Sequence, residues 1–194
     1  MRTGFRSGAR VAWVASALFA LVLPGCSARL YQQASCAGSF QSIRLLEAQA
    51  VPSATYIPCL VTLPARWVYG GSEVRSGVAR FWLDSDRGVH AVEVSLTRTC
   101  DVSGALRVNP SPDEKALRRY SESLSQPLSH APTQYYLFRG GCVTYRFDPS
   151  LGTSPTLVSR ADSALGFLPR LLFVDDLHRL GVTLCGAGAA SCPG

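Results

Sequence analysis

The fold is decided by residues 134–147, which read QYYLFRGGCVTYRF. Aromatic and β-branched residues fill Gln134–Arg139 and Cys142–Phe147, as is typical of paired β-strands. Between them, Gly140-Gly141 suits the positive φ angles of a two-residue hairpin turn. The stretch therefore predicts an antiparallel hairpin.

Counting outward from Gly140-Gly141 predicts which side chains of this hairpin meet. Two cross-strand pairs are expected on one face: Phe138 with Val143, and Tyr136 with Tyr145. On the opposite face, Tyr135 is expected to meet Arg146 as a cation–π pair.

A second hairpin is predicted over residues 78–97. Val78–Leu83 and Val89–Thr97 are rich in strand-forming residues, and Asp84–Gly88 between them has the composition of a turn. Alternation at period two places three residues on one face: Val92, Val94 and Leu96. His90 has the same parity, so it is expected at the strand end, on the rim of the core.

Helices are expected mainly in the C-terminal third. Ser159–Leu168 predicts a short helix, and Pro169 can open another that runs to Leu180 and ends at Gly181. The second helix has an apolar stripe: Leu172, Phe173, Leu177 and Leu180. An edge strand over Val182–Cys185 is expected to follow.

Two earlier segments are less regular. Gln41–Val51 fits either a short helix or a strand, and Pro52 ends both. Ser111–Glu114 resembles a helix start, which predicts a short polar helix over Lys115–Ser123. Antiparallel hairpins with helices gathered late indicate one α+β domain.

The first 25 residues have the pattern of an export signal. Val11–Leu23 is an apolar run of 13 residues, whereas a membrane-spanning helix needs about 20. Three basic residues and no acidic residue precede it: Arg2, Arg6 and Arg10. Pro24-Gly25 then ends the apolar helix.

The run Leu23-Pro24-Gly25-Cys26 resembles the processing site of bacterial lipoproteins. The resemblance implies cleavage before Cys26 and attachment of diacylglycerol, with fatty acids such as palmitate, to its thiol. The protein would then be held by membrane lipid at the outer face of the plasma membrane. Two alternatives stay open, namely cleavage after Ala28 to give a secreted protein and an uncleaved short anchor.

This interpretation divides the chain into four parts. Residues 1–25 are the signal peptide, and residues 26–40 are the lipidated N-terminus and a tether. Residues 41–185 form the α+β domain, which has enough residues to bury a sizeable core. Residues 186–194 form a flexible tail.

Six cysteines remain when Cys26 is set aside, an even number that suits an oxidising compartment. Sequence alone permits 15 pairings. The favoured set of disulfides is Cys36–Cys59, Cys100–Cys142 and Cys185–Cys192. A metal site is not expected, because no two cysteines have Cys-x-x-Cys spacing.

The charge argues against a nucleic-acid partner. The formal net charge is +6, of which the three arginines before residue 26 supply half. The remaining basic bias is weak for a protein that binds nucleic acid. No cofactor-binding motif and no catalytic motif occurs, so no residue is assigned to catalysis, cofactor or metal.

The residues closest to an acid–base cluster are His178 with Asp175 and Asp176. Asp175 and His178 are helix neighbours, and the preferred interpretation is an ion pair at the helix C-terminus. His90 and His130 have no catalytic partner in their local sequence. Asp84–Gly88 resembles the opening of a calcium loop, yet it lacks the later ligands and is interpreted as a turn.

The sequence therefore favours a non-enzymatic binding or structural module. Four aromatic residues are candidates for an exposed patch that contacts a protein or glycan partner: Trp67, Tyr69, Trp82 and Tyr135. Two alternatives are kept, a secreted hydrolase whose site is assembled from distant residues and a subunit of an envelope assembly.

Overall fold

An antiparallel β-sheet organises the chain. The computed structural model describes residues 36, 42–110, 116–122, 133–151 and 155–187, all within one compact unit. The elements are, in order, α1 (Ser42–Ala50), β1 (Tyr56–Leu60), β2 (Trp67–Arg75), β3 (Val78–Ser85), β4 (Gly88–Thr97), β5 (Leu106–Val108), β6 (Arg118–Ser121), β7 (Thr133–Phe138), β8 (Gly141–Phe147), a 3-10 turn (Pro149–Leu151), α2 (Pro155–Asp162), β9 (Leu165–Pro169) and α3 (Arg170–Arg179).

Seven strands form the main sheet in the order β2-β3-β4-β8-β7-β6-β5, and β1 pairs with β9 in a separate two-stranded sheet. Every pairing is antiparallel. Three helices and the disulfides Cys36–Cys59 and Cys100–Cys142 complete this arrangement of the described residues. The predicted α+β, disulfide-stabilised fold is confirmed.

The β3–β4 hairpin follows the predicted alternation. Phe81 pairs with Val94 and Leu83 with Val92, and all four side chains are buried. The turn is shorter than expected, because Ser85 and Gly88 still pair across it.

His90 departs from the expected position. It has a positive φ of 54° and its N–H donates to the Asp84 carboxylate, so the strand is distorted there and the alternation is broken. The His90 side chain is exposed, and its ring stacks on Trp82 with centroids 5.0 Å apart. The prediction that it shares the core face of Val92 is wrong.

The β7–β8 hairpin forms, but its predicted register is wrong. Its turn is Arg139-Gly140, so Phe138 pairs with Gly141 and Tyr136 with Val143. A Cβ at Gly141 would lie 2.5 Å from the Phe138 ring, which shows that packing, not the turn, requires this glycine. The shift is two residues, so the aromatic face is preserved and remains buried.

The opposite face of the β7–β8 hairpin also differs from the prediction. Tyr135 pairs with Thr144, and Arg146 pairs with Thr133. The Tyr135 hydroxyl donates to Glu122, 2.6 Å away, in place of the predicted cation–π pair with Arg146.

Three predicted helical or strand segments need correction. Residues 118–121, expected in a polar helix, form β6 because they pair with β7. Residues 165–168, expected to end a helix, belong to β9 because they pair with β1. Val182–Cys185 forms no strand. The ambiguous segment 41–51 contains α1.

The last helix agrees better with its prediction. Helix α3 runs from Arg170 to Arg179, and Gly181 follows with a φ of 75°. Only half of its predicted stripe is covered: Phe173 and Leu177 are buried, whereas Leu172 and Leu180 are more than half exposed.

Two apolar clusters stabilise the domain. The larger covers one face of the main sheet with residues from α1 and α2, and the smaller lies between α1, β1 and α3 around Phe173 and Leu177. Burying each large side chain contributes about 1.5–3 kcal/mol. In the part of the chain described above, no helix combines the length and the apolar character that a membrane crossing requires.

The disulfides tie distant elements together. Cys36 is bonded to Cys59 of β1, and Cys100 to Cys142 of β8, with Cα atoms 5.0 and 5.9 Å apart. Both pairs are as predicted. Cys185 is also disulfide-bonded. Its predicted partner Cys192 lies outside the described residues, so that pairing stays a prediction.

The β7–β8 turn is docked on the loop that follows α1. Ser53 donates through its hydroxyl to the Gly140 carbonyl at 2.6 Å, and Thr55 donates through its hydroxyl and its N–H to the Arg139 carbonyl. Gly140 has a φ of 74°, and a Cβ there would lie 1.9 Å from the Ser53 carbonyl oxygen. The site admits only glycine.

We predict that Gly140→Ala lowers the free energy of unfolding by more than about 2 kcal/mol, through backbone strain and displacement of the Ser53 loop. Gly104→Ala is the matched control, because Gly104 also has a positive φ, 84°, but open space where a Cβ would stand. The free energy of unfolding of Gly104→Ala should fall by about 1 kcal/mol, from backbone strain alone. Urea denaturation measures both, and equal losses would contradict the docking argument.

Candidate functional site

A groove of about 540 Å³ lies where α2 and β9 meet the main sheet. Its walls come from α2, β9, both ends of β1 and the start of β6. The polar and aromatic side chains and one glycine that line the groove include Tyr56, Ser159, Asp162, Ser163, Gly166 and Phe167. Its size falls within the usual range for small-ligand pockets.

Asp162, the last residue of α2, is the one carboxylate among the described lining residues. Arg119 Nη2 lies 2.6 Å from its Oδ2, and the Tyr136 hydroxyl donates to its Oδ1. The same Arg119 nitrogen donates to Gln134 Oε1 at 2.7 Å. Asp162 is thus held in one orientation, with its negative charge neutralised by the guanidinium.

The end of α2 is fixed to the sheet by a buried tyrosine. The Tyr145 hydroxyl donates to the carbonyl of Ala161, one of the carbonyls that a helix C-terminus leaves without an intrahelical partner. Complete burial raises the pKa of Tyr145 well above its usual value, so the hydroxyl remains a donor. Sheet residues therefore set the position of the groove wall.

Aromatic rings form the other side of the groove. Phe167 packs on Tyr136 with ring centroids 4.9 Å apart, and Tyr56 meets Phe138 edge-to-face at 5.5 Å. Gly166 precedes Phe167 on β9 and pairs with Cys59. A Cβ there would come within 2.5 Å of the Cys36 sulfur, so the disulfide and the groove floor need glycine at this position.

The groove is close to neutral and rich in hydroxyl groups. The Asp162 charge is balanced by Arg119, and Ser159 on α2 and Ser163, just after the end of α2, lie one turn apart at the edge of the groove. This combination suits a ligand that carries hydroxyl groups and an apolar ring face. Glycosidic hydrolysis needs a pair of carboxyl groups, and the described lining offers one, already paired.

The histidines lie elsewhere. His90 is exposed near the start of β4, and His178 is exposed on α3. His130 lies outside the described residues. The ion pair at the end of α3 joins Asp176 to Arg179 and not Asp175 to His178. The histidines placed here therefore form no acid–base cluster with the groove.

The four candidate aromatic residues divide into two groups. Trp67 and Tyr69 are buried in the core, whereas Trp82 and Tyr135 are partly exposed. Trp82 Nε1 lies 3.4 Å from Glu93, and burial together with Glu122 raises the pKa of Tyr135 to about 12. Neither lines the groove.

The described residues contain no cluster of three or more potential metal ligands. In the segment that resembles a calcium loop, Asp84 accepts the His90 N–H and Asp86 pairs with Arg66. Both carboxylates therefore have partners within the turn. Cys26, the predicted lipidation site, lies outside the described residues.

A buried ionisable cluster supports α1 and is separate from the groove. Arg170 is fully buried and donates to the carbonyls of Ala48 and Cys185, so it caps the C-terminus of α1. Glu47 is also fully buried, and neither of its carboxylate oxygens has a hydrogen-bond partner among the described residues. Burial raises the pKa of Glu47 to about 8, against the opposing effect of nearby Arg44.

Comparison with protein-family models, with curated proteins and with solved structures finds no significant match to this chain. The geometry of the groove and the residue pattern of the first 26 positions are therefore the basis for a functional proposal.

We predict that domain stability falls as pH rises from about 5 to 8. The pKa of Glu47 is about 8 in the folded protein, against 4.5 for an ordinary glutamate. Between these two values the folded protein keeps the Glu47 proton, whereas the unfolded chain releases it. The free energy of unfolding therefore falls by up to about 1.4 kcal/mol per pH unit. Above pH 8 this contribution levels off.

Glu47→Gln should remove most of that slope, whereas the control Glu73→Gln, a surface residue paired with Arg75, should leave it unchanged. Urea denaturation at several pH values measures the effect. A Glu47→Gln protein with the parent's slope would show that another group titrates.

Proposed function

We propose that this protein is a non-enzymatic binding module, held by a lipid on Cys26 at the outer face of the plasma membrane. Its ligand is a hydroxyl-rich chain, a glycan of the cell envelope, which lies in the groove beside Asp162. The proposal rests on the composition of this groove, which contains one carboxylate neutralised by Arg119, two serines and an aromatic wall.

The groove chemistry favours sugar over other ligands. Serine hydroxyls and a fixed carboxylate exchange hydrogen bonds with hydroxyl groups, and an aromatic ring packs on the apolar face of a sugar. A strongly charged ligand is less well suited, because Ser159 and Ser163 are neutral and the charge of Asp162 is already paired with Arg119. The groove also stands on rigid elements, which limits the entropy lost on binding.

Two features support export and anchoring. The signal ends in Leu23-Pro24-Gly25-Cys26, and the domain that follows carries the Cys36–Cys59 and Cys100–Cys142 disulfides. Disulfides persist in oxidising compartments and are rare in the cytosol. A lipid on Cys26 would hold the domain next to the envelope polymers that it binds.

We predict that cells grown with an alkyne fatty acid label this protein, and that Cys26→Ser abolishes the label because the acceptor thiol is lost. Ser27→Ala is the matched control and should keep the label. In-gel detection of the purified protein measures both. Label that persists in Cys26→Ser would refute the anchor, and unlabelled protein in the medium would favour cleavage after Ala28.

We predict that Ser159→Trp weakens glycan binding about tenfold or more, because an indole on exposed Ser159 fills the groove. Ser72→Trp, at an exposed position on β2, is the control and should bind as the parent does. Calorimetric titration of the full chain with soluble oligosaccharides released from the cell envelope measures the affinity.

Two outcomes would contradict the binding proposal. Equal affinity of both tryptophan variants would place the ligand outside the groove. Shortened oligosaccharides in the titrated sample, detected by mass spectrometry and absent with Ser159→Trp, would identify a hydrolase instead.

A further inference from the structure

A second pocket, of about 260 Å³, is basic, whereas the groove is close to neutral. It is lined by Ala65, Arg66, Trp67, Asp86, Arg87, Thr156 and Arg160. These come from the loop before β2, the β3–β4 turn and α2. We infer that this basic pocket binds a phosphate group, an interaction that goes beyond the proposed function and uses none of the groove residues.

The charge of the basic pocket is unbalanced. The lining contains three arginines and one carboxylate, that of Asp86, which Arg66 Nη1 contacts at 3.0 Å. Among the described residues, neither Arg87 nor Arg160 forms an ion pair. A net positive charge of two is therefore gathered around one small cavity, and an anion would relieve the repulsion between the guanidinium groups.

The pocket is built on fixed backbone. The Asp86 N–H donates to the Arg66 carbonyl at 3.1 Å, so a backbone bond reinforces the side-chain pair between these loops. Trp67 is buried and forms a solid wall. The arginines thus extend from a preorganised rim, which favours binding of a small anion over nonspecific attraction.

Helix α2 adds to the positive potential. Thr156 is the second residue of α2, and the first turn of the helix contains no acidic residue. The amide groups at a helix N-terminus carry partial positive charge and favour anions. Arg160 lies one turn later on the same face, so the helix supplies both a guanidinium and its N-terminal end.

Phosphate fits these features better than carboxylate does. A phosphate monoester carries about −1.5 to −2 charge at pH 7, which matches the excess charge of the pocket, whereas a carboxylate carries −1. Guanidinium groups bind phosphate oxygens in bidentate fashion. The cavity is small for a whole metabolite, so it would take the phosphate and leave the attached group in solvent. The phosphate could belong to a lipid headgroup or to a soluble compound.

Calorimetric titration of the full chain with inorganic phosphate tests the inference. We expect saturable binding at one site, weakened about tenfold or more in Arg87→Gln/Arg160→Gln. Arg107→Gln, an exposed arginine on β5 away from the pocket, is the control and should bind as the parent does. Absence of saturable binding, or equal weakening in the control, would overturn the inference.

A vesicle experiment distinguishes the two sources of phosphate. Full chain carrying Cys26→Ser, which removes the proposed lipid, is floated with vesicles of phosphatidylcholine alone or mixed with phosphatidic acid, whose headgroup is a phosphate monoester. Flotation with the mixed vesicles that is lost in the double arginine variant supports a headgroup. Phosphate binding without flotation supports a soluble phosphate compound. Flotation that is equal for the double variant and the parent would overturn a role for the pocket at the membrane.

Discussion

The pairing of β4 with β8 is the constraint on which the rest of the domain depends. It joins the β3–β4 hairpin to the β7–β8 hairpin, in register from Val92–Phe147 to Thr97–Cys142. Each hairpin is encoded by its own stretch of sequence, and this pairing unites them in one seven-stranded sheet. The Cys100–Cys142 bond lies at the end of this pairing. Because side chains alternate along strands, one register aligns both apolar faces and creates the core.

The groove follows from that sheet. Tyr136 and Tyr145, on the buried face of the β7–β8 hairpin, reach the last two residues of α2 through their hydroxyls. Arg119 of β6 reaches Asp162 from the next strand. The aromatic face that stabilises the core therefore also ends in hydroxyl groups that hold the end of α2 and the Asp162 carboxylate, so stability and groove geometry depend on the same side chains.

Local pattern predicted the parts of the fold that are encoded locally. The two hairpins and α3 with its glycine cap were predicted from spacing and composition, and the Cys36–Cys59 and Cys100–Cys142 pairings were favoured among the 15 that sequence permits. The β7–β8 register was wrong because Gly140 and Gly141 look alike in sequence, and only the packing of Phe138 and Ala54 against residue 141 distinguishes them. His90 was misplaced because a backbone distortion leaves no mark in the alternation.

The site itself could not be predicted, because it is made by long-range pairings. Arg119 belongs to a polar segment that looks helical, and it is a strand because β7 pairs with it. Phe167 belongs to an apolar run that fits a helix equally well until β1 is beside it. No local signal links either residue to Asp162. Tertiary contacts override propensity where propensity is weak.

Helix α2 contributes lining residues to both the groove and the basic pocket. Thr156 and Arg160 are one turn apart and line the basic pocket, whereas Ser159 and Ser163 are one turn apart and line the groove. Tyr145 fixes the end of this helix from within the core. The four positions are spaced i, i+3, i+4 and i+7, so one side of this short helix, held at its C-terminus by the sheet, borders both the basic pocket and the groove.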